Sequence, residues 1–391
     1  MEEKSMIAVI SKYRKAIMGF AALWILAMHE WRLLIPYGES FWEREVFLKD
    51  IGFCGVDIFL LLSGMGLTYA IKKSSVGRFY FGRIKRILFP YLAVAVIVGV
   101  SYGWSAREFL ANVSGYSFYF KSIYSFMWFV PAILTLYLVF PLYWAIFSRA
   151  KNKTVFTLTV LVIWLLVSMV LRDRLRGDMY GFTNRIPVFL VGVLYGWLCQ
   201  NNRMRESRGL WALTALTLLL GLYLADRTNV DGMYLLASFR ATRWLSAAAN
   251  AVLGFFGMMS LEFYCIQQWV SEMISGYLDT HFGHKAINLL MLAAVTLAAL
   301  VLYFGNKGFV AVLNSLDRRL FPRTAAAKSA VSAVGTDNAD ASDACVSAPP
   351  GDAAQASAVV SDAQKSSGDG CDASENAGVA DMPGSESSGA V

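Results

Sequence analysis

About ten apolar runs of near-membrane length dominate this sequence and leave few folds open to it. A helix needs about 20 mainly apolar residues to cross a bilayer, with a range of about 17–25. The runs that reach or approach this length are 17–35, 51–71, 87–104, 126–147, 154–171, 186–200, 210–225, 243–258, 260–279 and 286–305. The sequence therefore predicts an all-α polytopic integral membrane protein with about ten transmembrane helices.

The overall composition agrees with this fold class. Hydrophobic residues make up 57% of the 391 residues and charged residues 16%, whereas soluble domains have about 45–50% and about 25%. These values exclude a typical soluble enzyme, a disordered chain and a coiled coil. The five cysteines form no Cys-x-x-Cys pair and the three histidines are scattered, so we expect no metal site.

Positive charge gathers in alternate loops. The N-terminus and the loops 72–86, 148–153 and 201–209 are basic, whereas the loop 36–50 is acidic. The positive-inside rule places basic loops in the cytoplasm. We therefore expect a multi-pass protein of the cell membrane with both termini cytoplasmic, and the lipid bilayer rather than nucleic acid as its partner. The arginines of 172–185 fall on the opposite side and are the exception to this pattern.

The composition changes sharply after Arg323. Residues 324–391 are rich in Ala, Ser, Asp and Gly and carry more acidic than basic residues. Such a segment buries too little apolar surface to offset its chain entropy. We expect two regions, a transmembrane domain at 1–323 and a disordered acidic tail at 324–391.

Ionisable residues inside apolar runs are the first candidates for chemistry, because such groups are costly in hydrocarbon. His29 and Glu30 lie in the second half of the first run, and Asp57 lies near the start of the second. His29 is either an interfacial histidine or a general base, since imidazole exchanges protons near neutral pH. Asp57 is either part of a functional site or a structural hydrogen-bond partner between helices.

A second candidate lies in the basic segment before the third run. Arg83 and Arg86 are three residues apart, so they share one face of a helix at the membrane edge. They either anchor that helix or bind phosphate, because guanidinium groups match the geometry of phosphate oxygens.

These residues stand within an ordered set of motifs. The set comprises His29, Gly-Val-Asp-Ile-Phe-Leu-Leu-Leu-Ser-Gly at 55–64, Phe-Tyr-x-x-Arg-Ile-x-Arg-Ile-x-x-Pro-Tyr at 79–91, Met-Trp-Phe at 127–129, Arg-Ile-Pro at 185–187 and Ser-Leu-Glu-Phe-Tyr at 260–264. In this order the motifs resemble the membrane acyltransferase 3 family, O-acetylase-like proteins that modify surface glycans, peptidoglycan, lipids and antibiotics. The resemblance extends over roughly residues 10–322.

The resemblance implies that an acyl group, usually acetyl from cytoplasmic acetyl-CoA, is moved to a hydroxyl of a cell-surface glycan or lipid-linked sugar. His29 falls on the catalytic histidine of the family, and Arg83 and Arg86 fall on its Arg-x-x-Arg motif for the CoA phosphates. Acyl-transfer chemistry then predicts that Glu30 or Asp57 orients the His29 ring, as the third member of a triad does.

Two positions depart from the family pattern. An Arg that is common eleven residues before the His is Met18 here, and a later His aligns with Gln267 or Gln268. Lys15 lies fourteen residues before His29 and on the same helix face. We expect Lys15 to supply the missing positive charge.

Two other classes of function fit the residues alone. Intramembrane His, Glu, Asp and Arg are also typical of substrate paths and proton relays. The alternative is therefore a transporter or flippase of a small solute or lipid-linked sugar. A membrane scaffold whose acidic tail recruits a partner is the third. The acceptor, the acyl chain and the oligomeric state are left open.

Overall fold

The computed structural model describes residues 6–73, 75–121, 126–171, 174–175, 177–201 and 246–320, with side chains omitted for 6–11, 73 and 316–320. Across these ranges the chain is helical and contains no β-strand. The helices are α1 (Met6–Glu30), α2 (Trp42–Asp50), α3 (Cys54–Lys73), α4 (Val76–Ser101), α5 (Ala106–Val113), α6 (Tyr116–Phe120), α7 (Phe129–Arg149), α8 (Lys153–Leu171), α9 (Gly177–Gln200), α10 (Ala247–Met258), α11 (Ser260–His281) and α12 (His284–Leu320), and a single 3₁₀ turn (Ile51–Phe53) joins α2 to α3.

Six described helical segments are long and apolar enough to cross a membrane. They are Trp42–Lys72, Val76–Ser101, Phe129–Arg149, Lys153–Leu171, Gly177–Gln200 and His284–Ser315. The prediction of an all-α polytopic membrane protein is thus confirmed. The predicted first run, in α1, is not among these six. The run at 210–225 and the tail at 324–391 lie outside the described residues, so the total of ten spans is not confirmed.

The predicted runs at 243–258 and 260–279 form one bent pair. Helices α10 and α11 meet at Met259 with a bend of 74°. The twelve residues of α10 reach only about 18 Å, less than the hydrocarbon thickness of about 30 Å. Helix α10 therefore does not cross a bilayer by itself.

Helix α1 ends earlier than the apolar run predicts, because side chains take up the backbone groups that follow it. The Asn288 side chain accepts a hydrogen bond from the Arg32 amide at 2.8 Å and donates one to the Arg32 carbonyl at 2.9 Å. The Glu45 carboxylate accepts from the amides of Leu34 and Ile35, both at 2.8 Å. These hydrogen bonds replace the backbone hydrogen bonds that a longer helix would make. The backbone groups that follow α1 are therefore paired although the helix has ended.

Glycines bring α1 and α10 into backbone contact. A Cβ added to Gly19 would collide with the Leu253 carbonyl oxygen, and one added to Gly257 would collide with that of Lys15. Small residues allow this close approach, and van der Waals packing then holds the helices together within a membrane.

Glycines also bring α3 and α9 into close contact. Gly192 and Gly196 are four residues apart on α9 and so lie on one face. A Cβ at Gly192 would strike the Leu61 carbonyl, and one at Gly196 would lie 2.5 Å from the Thr68 hydroxyl oxygen. This contact fixes the positions of the charged side chains that α3 and α9 carry.

Basic residues collect at one end of the bundle. Lys72, at the end of α3, lies 5.9 Å from the ring centre of Trp144 near the end of α7. This end also holds the first turns of α4 and is called the Arg83 end below. The opposite end, called the His29 end, holds the last turn of α1 and the acidic helix α2. Which end faces the cytoplasm stays a prediction.

Candidate active site

His29 lies on the inward face of α1. At 100° per residue it stands within about 40° of Ala22 and Ile25 on the helical wheel, and both of those side chains are only 2% exposed. His29 itself is exposed. The ring therefore continues a buried helix face and still reaches open space at the end of the bundle, as an imidazole that must meet a substrate requires.

The His29 ring makes no hydrogen bond within the described part of the chain, so neither Glu30 nor Asp57 orients it in this conformation. Its charged neighbour is Lys49 of α2. Glu30 points elsewhere, and its carboxylate interacts with the Ser271 hydroxyl of α11. The sequence prediction that Glu30 or Asp57 holds the ring stays a prediction, because catalytic hydrogen bonds often tighten only when substrate is bound.

Asp57 forms an ion pair with Arg185. Arg185 Nε lies 3.4 Å from Asp57 Oδ1, and the two residues are 8% and 0% exposed. This pairing accounts for part of the exception to the charge pattern, since Arg185, one of the arginines assigned to the 172–185 loop, is buried inside α9. Of the two readings of Asp57, the contact between helices is the one visible here.

Aromatic rings surround the Arg185 guanidinium and link it to α11. The guanidinium carbon lies 5.7 Å from the ring centre of Phe53 and 5.8 Å from that of Trp128. Phe129, the residue after Trp128, packs its ring edge-on against that of Tyr264, with the ring centres 5.4 Å apart. The Tyr264 hydroxyl accepts a hydrogen bond from the Phe129 backbone amide at 3.4 Å. Motifs that are far apart in sequence thus meet in one layer of the bundle.

Arg83 and Arg86 share one face of α4, as predicted, while Lys85 points away from them. Lys85 is buried and its Nζ donates to the Asn314 side chain of α12 at 2.6 Å. Arg83 and Arg86 are half-buried, and the Arg83 guanidinium lies 5.8 Å from the ring centre of Phe79. Two guanidinium groups on one helix face at the end of the bundle can receive an anionic group.

Helix α11 connects the two candidate regions. Near its start, Glu262 accepts a hydrogen bond at 2.6 Å from Asn306, which also donates to the Arg86 carbonyl at 3.4 Å. Nine residues later, Ser271 interacts with Glu30. Nine residues of α-helix rise by about 13.5 Å. The levels of Arg86 and Glu30 are thus separated by about half of the hydrocarbon thickness.

Sequence reasoning missed Arg14. Its Nη2 lies 3.5 Å from the Leu62 carbonyl oxygen of α3, and its guanidinium sits beside Gly66. Arg14 and Lys15 flank the His29 face of α1 on opposite sides, by about 60° and about 40°. The sequence signal for Arg14 was its position in a basic segment just before an apolar run.

Two polar contacts tie other elements together at the His29 end. Arg32 forms an ion pair with Asp279 of α11 at 2.9 Å, and these bonds raise the pKa of Arg32. The Tyr102 hydroxyl, just after α4, donates to Glu272 of α11. That hydrogen bond raises the pKa of Tyr102 to about 12, so the phenol stays protonated and remains a donor at physiological pH.

The described residues contain no group of three or more His, Cys, Asp or Glu side chains that could hold a metal ion. The thiols of Cys54, Cys199 and Cys265 are buried. The candidate regions described above contain an accessible imidazole, carboxylates, guanidinium groups and a buried amide.

Comparison with known proteins agrees with this arrangement. A family model described as an acyltransferase domain, that of acyltransferase 3, matches residues 16–226, just over half of the chain. Neither a curated protein nor a solved structure gives a significant match. The matched range holds His29, Asp57, Arg83, Arg86 and Arg185. The chain belongs to the acyltransferase 3 family.

Proposed function

We propose that this protein is a membrane O-acyltransferase that moves an acyl group, acetyl in the first instance, from cytoplasmic acyl-CoA to a hydroxyl of a cell-surface glycan or lipid-linked sugar. In this proposal the Arg83 end faces the cytoplasm, in keeping with the positive-inside rule. The chain works as a multi-pass protein of the cell membrane and needs no metal.

The spacing of the two candidate regions carries the proposal. The end of α1 that carries His29 and Glu30 meets α11 at the level of Ser271. The Arg86 backbone lies at the level of Glu262, about 13.5 Å away along the helix axis. Acyl-CoA has phosphates at one end and a thioester at the other, so one donor molecule would meet both regions at once. Arg83 and Arg86 would bind its phosphates, with Lys15 as a further positive charge at the same end.

The reaction follows from the chemistry of a thioester. His29 takes the proton from the acceptor hydroxyl as its oxygen attacks the acyl carbon. The carbon–oxygen bond forms, the carbon–sulfur bond then breaks, and the electron pair leaves on sulfur. The imidazolium returns its proton to that sulfur, so CoA leaves as a thiol. Glu30 or Asp57 would orient the ring and stabilise the imidazolium in the substrate complex.

Radiolabelled acetyl-CoA tests the proposal. Full-length protein in nanodiscs would be incubated with the labelled donor and with membranes from a deletion strain as the source of acceptor. We expect label in the glycan or lipid fraction, and mass spectrometry should find the matching acetyl increment only in cells with the gene. No transfer and no binding of acetyl-CoA would overturn the proposal.

The transporter alternative draws on the buried Asp57–Arg185 pair, since charged residues inside a membrane also mark substrate paths. Liposomes without CoA separate the two functions. Uptake or lipid scrambling that persists in His29→Ala would favour transport, whereas its absence together with donor-dependent labelling would favour the enzyme.

A further inference from the structure

The Gln267 side chain is a buried amide that the reaction above does not use. Gln267 is 2% exposed, and its Oε1 has no hydrogen-bond partner among the residues the structure describes. Buried polar side-chain atoms are hydrogen-bonded in the large majority of cases. A buried amide oxygen without a partner therefore points to a polar group that binds at this position.

Gln267 lies on the face of α11 that carries Tyr264 and Ser271. It follows Tyr264 by three residues and precedes Ser271 by four, so the three side chains lie within about 60° on the helical wheel. Tyr264 contacts Phe129 of α7, and Ser271 interacts with Glu30 of α1. A side chain between these two is directed into the interior of the bundle.

The height of Gln267 places it between the two candidate regions. It lies five residues, about 7.5 Å, beyond Glu262, whose partner Asn306 also binds the Arg86 carbonyl. It lies four residues, about 6 Å, short of the level at which Ser271 meets the end of α1. If acyl-CoA extends from the Arg83 end toward His29, its uncharged arm and acyl group lie at the level of Gln267.

An amide suits hydrogen bonding to a carbonyl group but not proton transfer. It offers two N–H donors and one acceptor oxygen, and a 180° turn of the amide exchanges the positions of oxygen and nitrogen. It has no titration near neutral pH. It can therefore hold an uncharged carbonyl group by a hydrogen bond and keep that bond if negative charge develops on the carbonyl oxygen.

We propose that Gln267 Nε2 donates a hydrogen bond to the thioester carbonyl oxygen of the acyl donor and holds the oxyanion of the tetrahedral intermediate. This inference rests on the proposed function. The acceptor oxygen attacks the carbonyl carbon, and the π electrons move to the carbonyl oxygen, where Gln267 stabilises them. When the intermediate collapses, the carbonyl re-forms and the carbon–sulfur bond breaks. Gln267 gains and loses no proton.

The test compares Gln267→Leu with wild type in nanodiscs. Loss of one oxyanion donor lowers turnover by about 10²–10³-fold. We expect kcat to fall by about a hundredfold, while the KM for acetyl-CoA changes by less than about threefold. Gln268→Leu is the matched control, since Gln268 is exposed and bonds to Glu272 instead, and it should retain wild-type kcat.

A binding measurement adds a readout that a structural role would not change. The ketone analogue of acetyl-CoA, with a methylene in place of sulfur, keeps the carbonyl but cannot transfer. Wild type should bind it more tightly than CoA, and a ¹³C-labelled carbonyl should show an infrared stretch at lower frequency than in an aprotic solvent. Gln267→Leu should lose both effects and bind CoA as before.

The inference is overturned if Gln267→Leu keeps kcat within threefold of wild type, or if the infrared stretch of the bound analogue shows no hydrogen bond. Should Gln267→Leu not fold, Gln267→Asn, which withdraws the amide by one methylene, replaces it in both the kinetic and the infrared comparison. Wild-type kcat and an unchanged infrared stretch in that variant would overturn the inference. A wild-type protein that binds no acetyl-CoA would instead contradict the proposed function.

Discussion

Asp57 of α3 and Arg185 of α9 form a buried ion pair, with Arg185 Nε 3.4 Å from Asp57 Oδ1. Removing one partner leaves a buried charge without compensation, which costs about 3–5 kcal/mol in soluble proteins. Asp57→Asn is therefore expected to lower the Tm in detergent clearly. Asp50→Asn, at an exposed carboxylate of α2, is the control. Equal Tm values for the two variants would show that the pair does not stabilise the fold.

His29→Ala is expected to abolish acyl transfer while the protein still inserts into the membrane. Loss of a general base lowers rates by about 10²–10⁴-fold. Turnover of labelled acetyl-CoA would be compared with that of His281→Ala, which changes an exposed histidine at the same end. A His29→Ala variant with more than about a third of wild-type turnover would remove His29 from the mechanism.

The double change Arg83→Lys with Arg86→Lys separates phosphate binding from anchoring. Lys keeps the charge but lacks the bidentate fork of Arg, and one lost charge-assisted hydrogen bond is worth about 1.5–3 kcal/mol. The KM for acetyl-CoA should rise about tenfold or more. Arg78→Lys on the same helix should leave it unchanged. An unchanged KM in the double variant would return both arginines to the role of anchors.

Lys15→Ala is expected to lower activity about tenfold, the effect of one lost charge-assisted contact. Met18→Arg should rescue that variant, because position 18 shares the His29 face of α1. The kcat and KM for acetyl-CoA would be measured for both, and for Arg14→Ala. Full activity in Lys15→Ala with a loss in Arg14→Ala would assign the role to Arg14.

Gly257→Ala should destabilise the contact between α1 and α10. A Cβ there would collide with the Lys15 carbonyl oxygen, whereas one at Gly254 in the same helix would meet nothing within 4 Å. Forcing extra atoms into a packed contact costs about 1–3 kcal/mol. The Tm should fall for Gly257→Ala and stay or rise for Gly254→Ala. Equal responses would mean that α10 can shift away from α1 freely.

Helix positions could be predicted from the sequence because apolar runs reveal them directly. Where charged residues interrupt an apolar run, the start of the helix was predicted too late. Helix α9 begins at Gly177, nine residues before the predicted run, since the buried Arg185 interrupts the hydropathy pattern there. Helix α4 likewise begins at Val76 because its first turns carry the basic motif.

The partners of the candidate residues could not be predicted in the same way. Asp57 stood out as a charge in an apolar run, but its pairing with Arg185 depends on how α3 and α9 pack across 128 residues of sequence. The side-chain oxygen of Gln267, which has no partner among the described residues, is likewise visible only in three dimensions. Helical periodicity alone, by contrast, predicts that Lys15 shares a helix face with His29, and that Arg83 shares one with Arg86.

The separation along α11 also has an electrical consequence. In the proposed reaction the donor phosphates stay at the Arg83 end, and only the uncharged arm and acyl group extend toward His29. Moving one elementary charge across a membrane costs about 2.3 kcal/mol per 100 mV, but a neutral group carries no such cost. The acyl group would thus reach the far side of the bundle without electrical work, and transfer would run equally fast in polarised and depolarised vesicles.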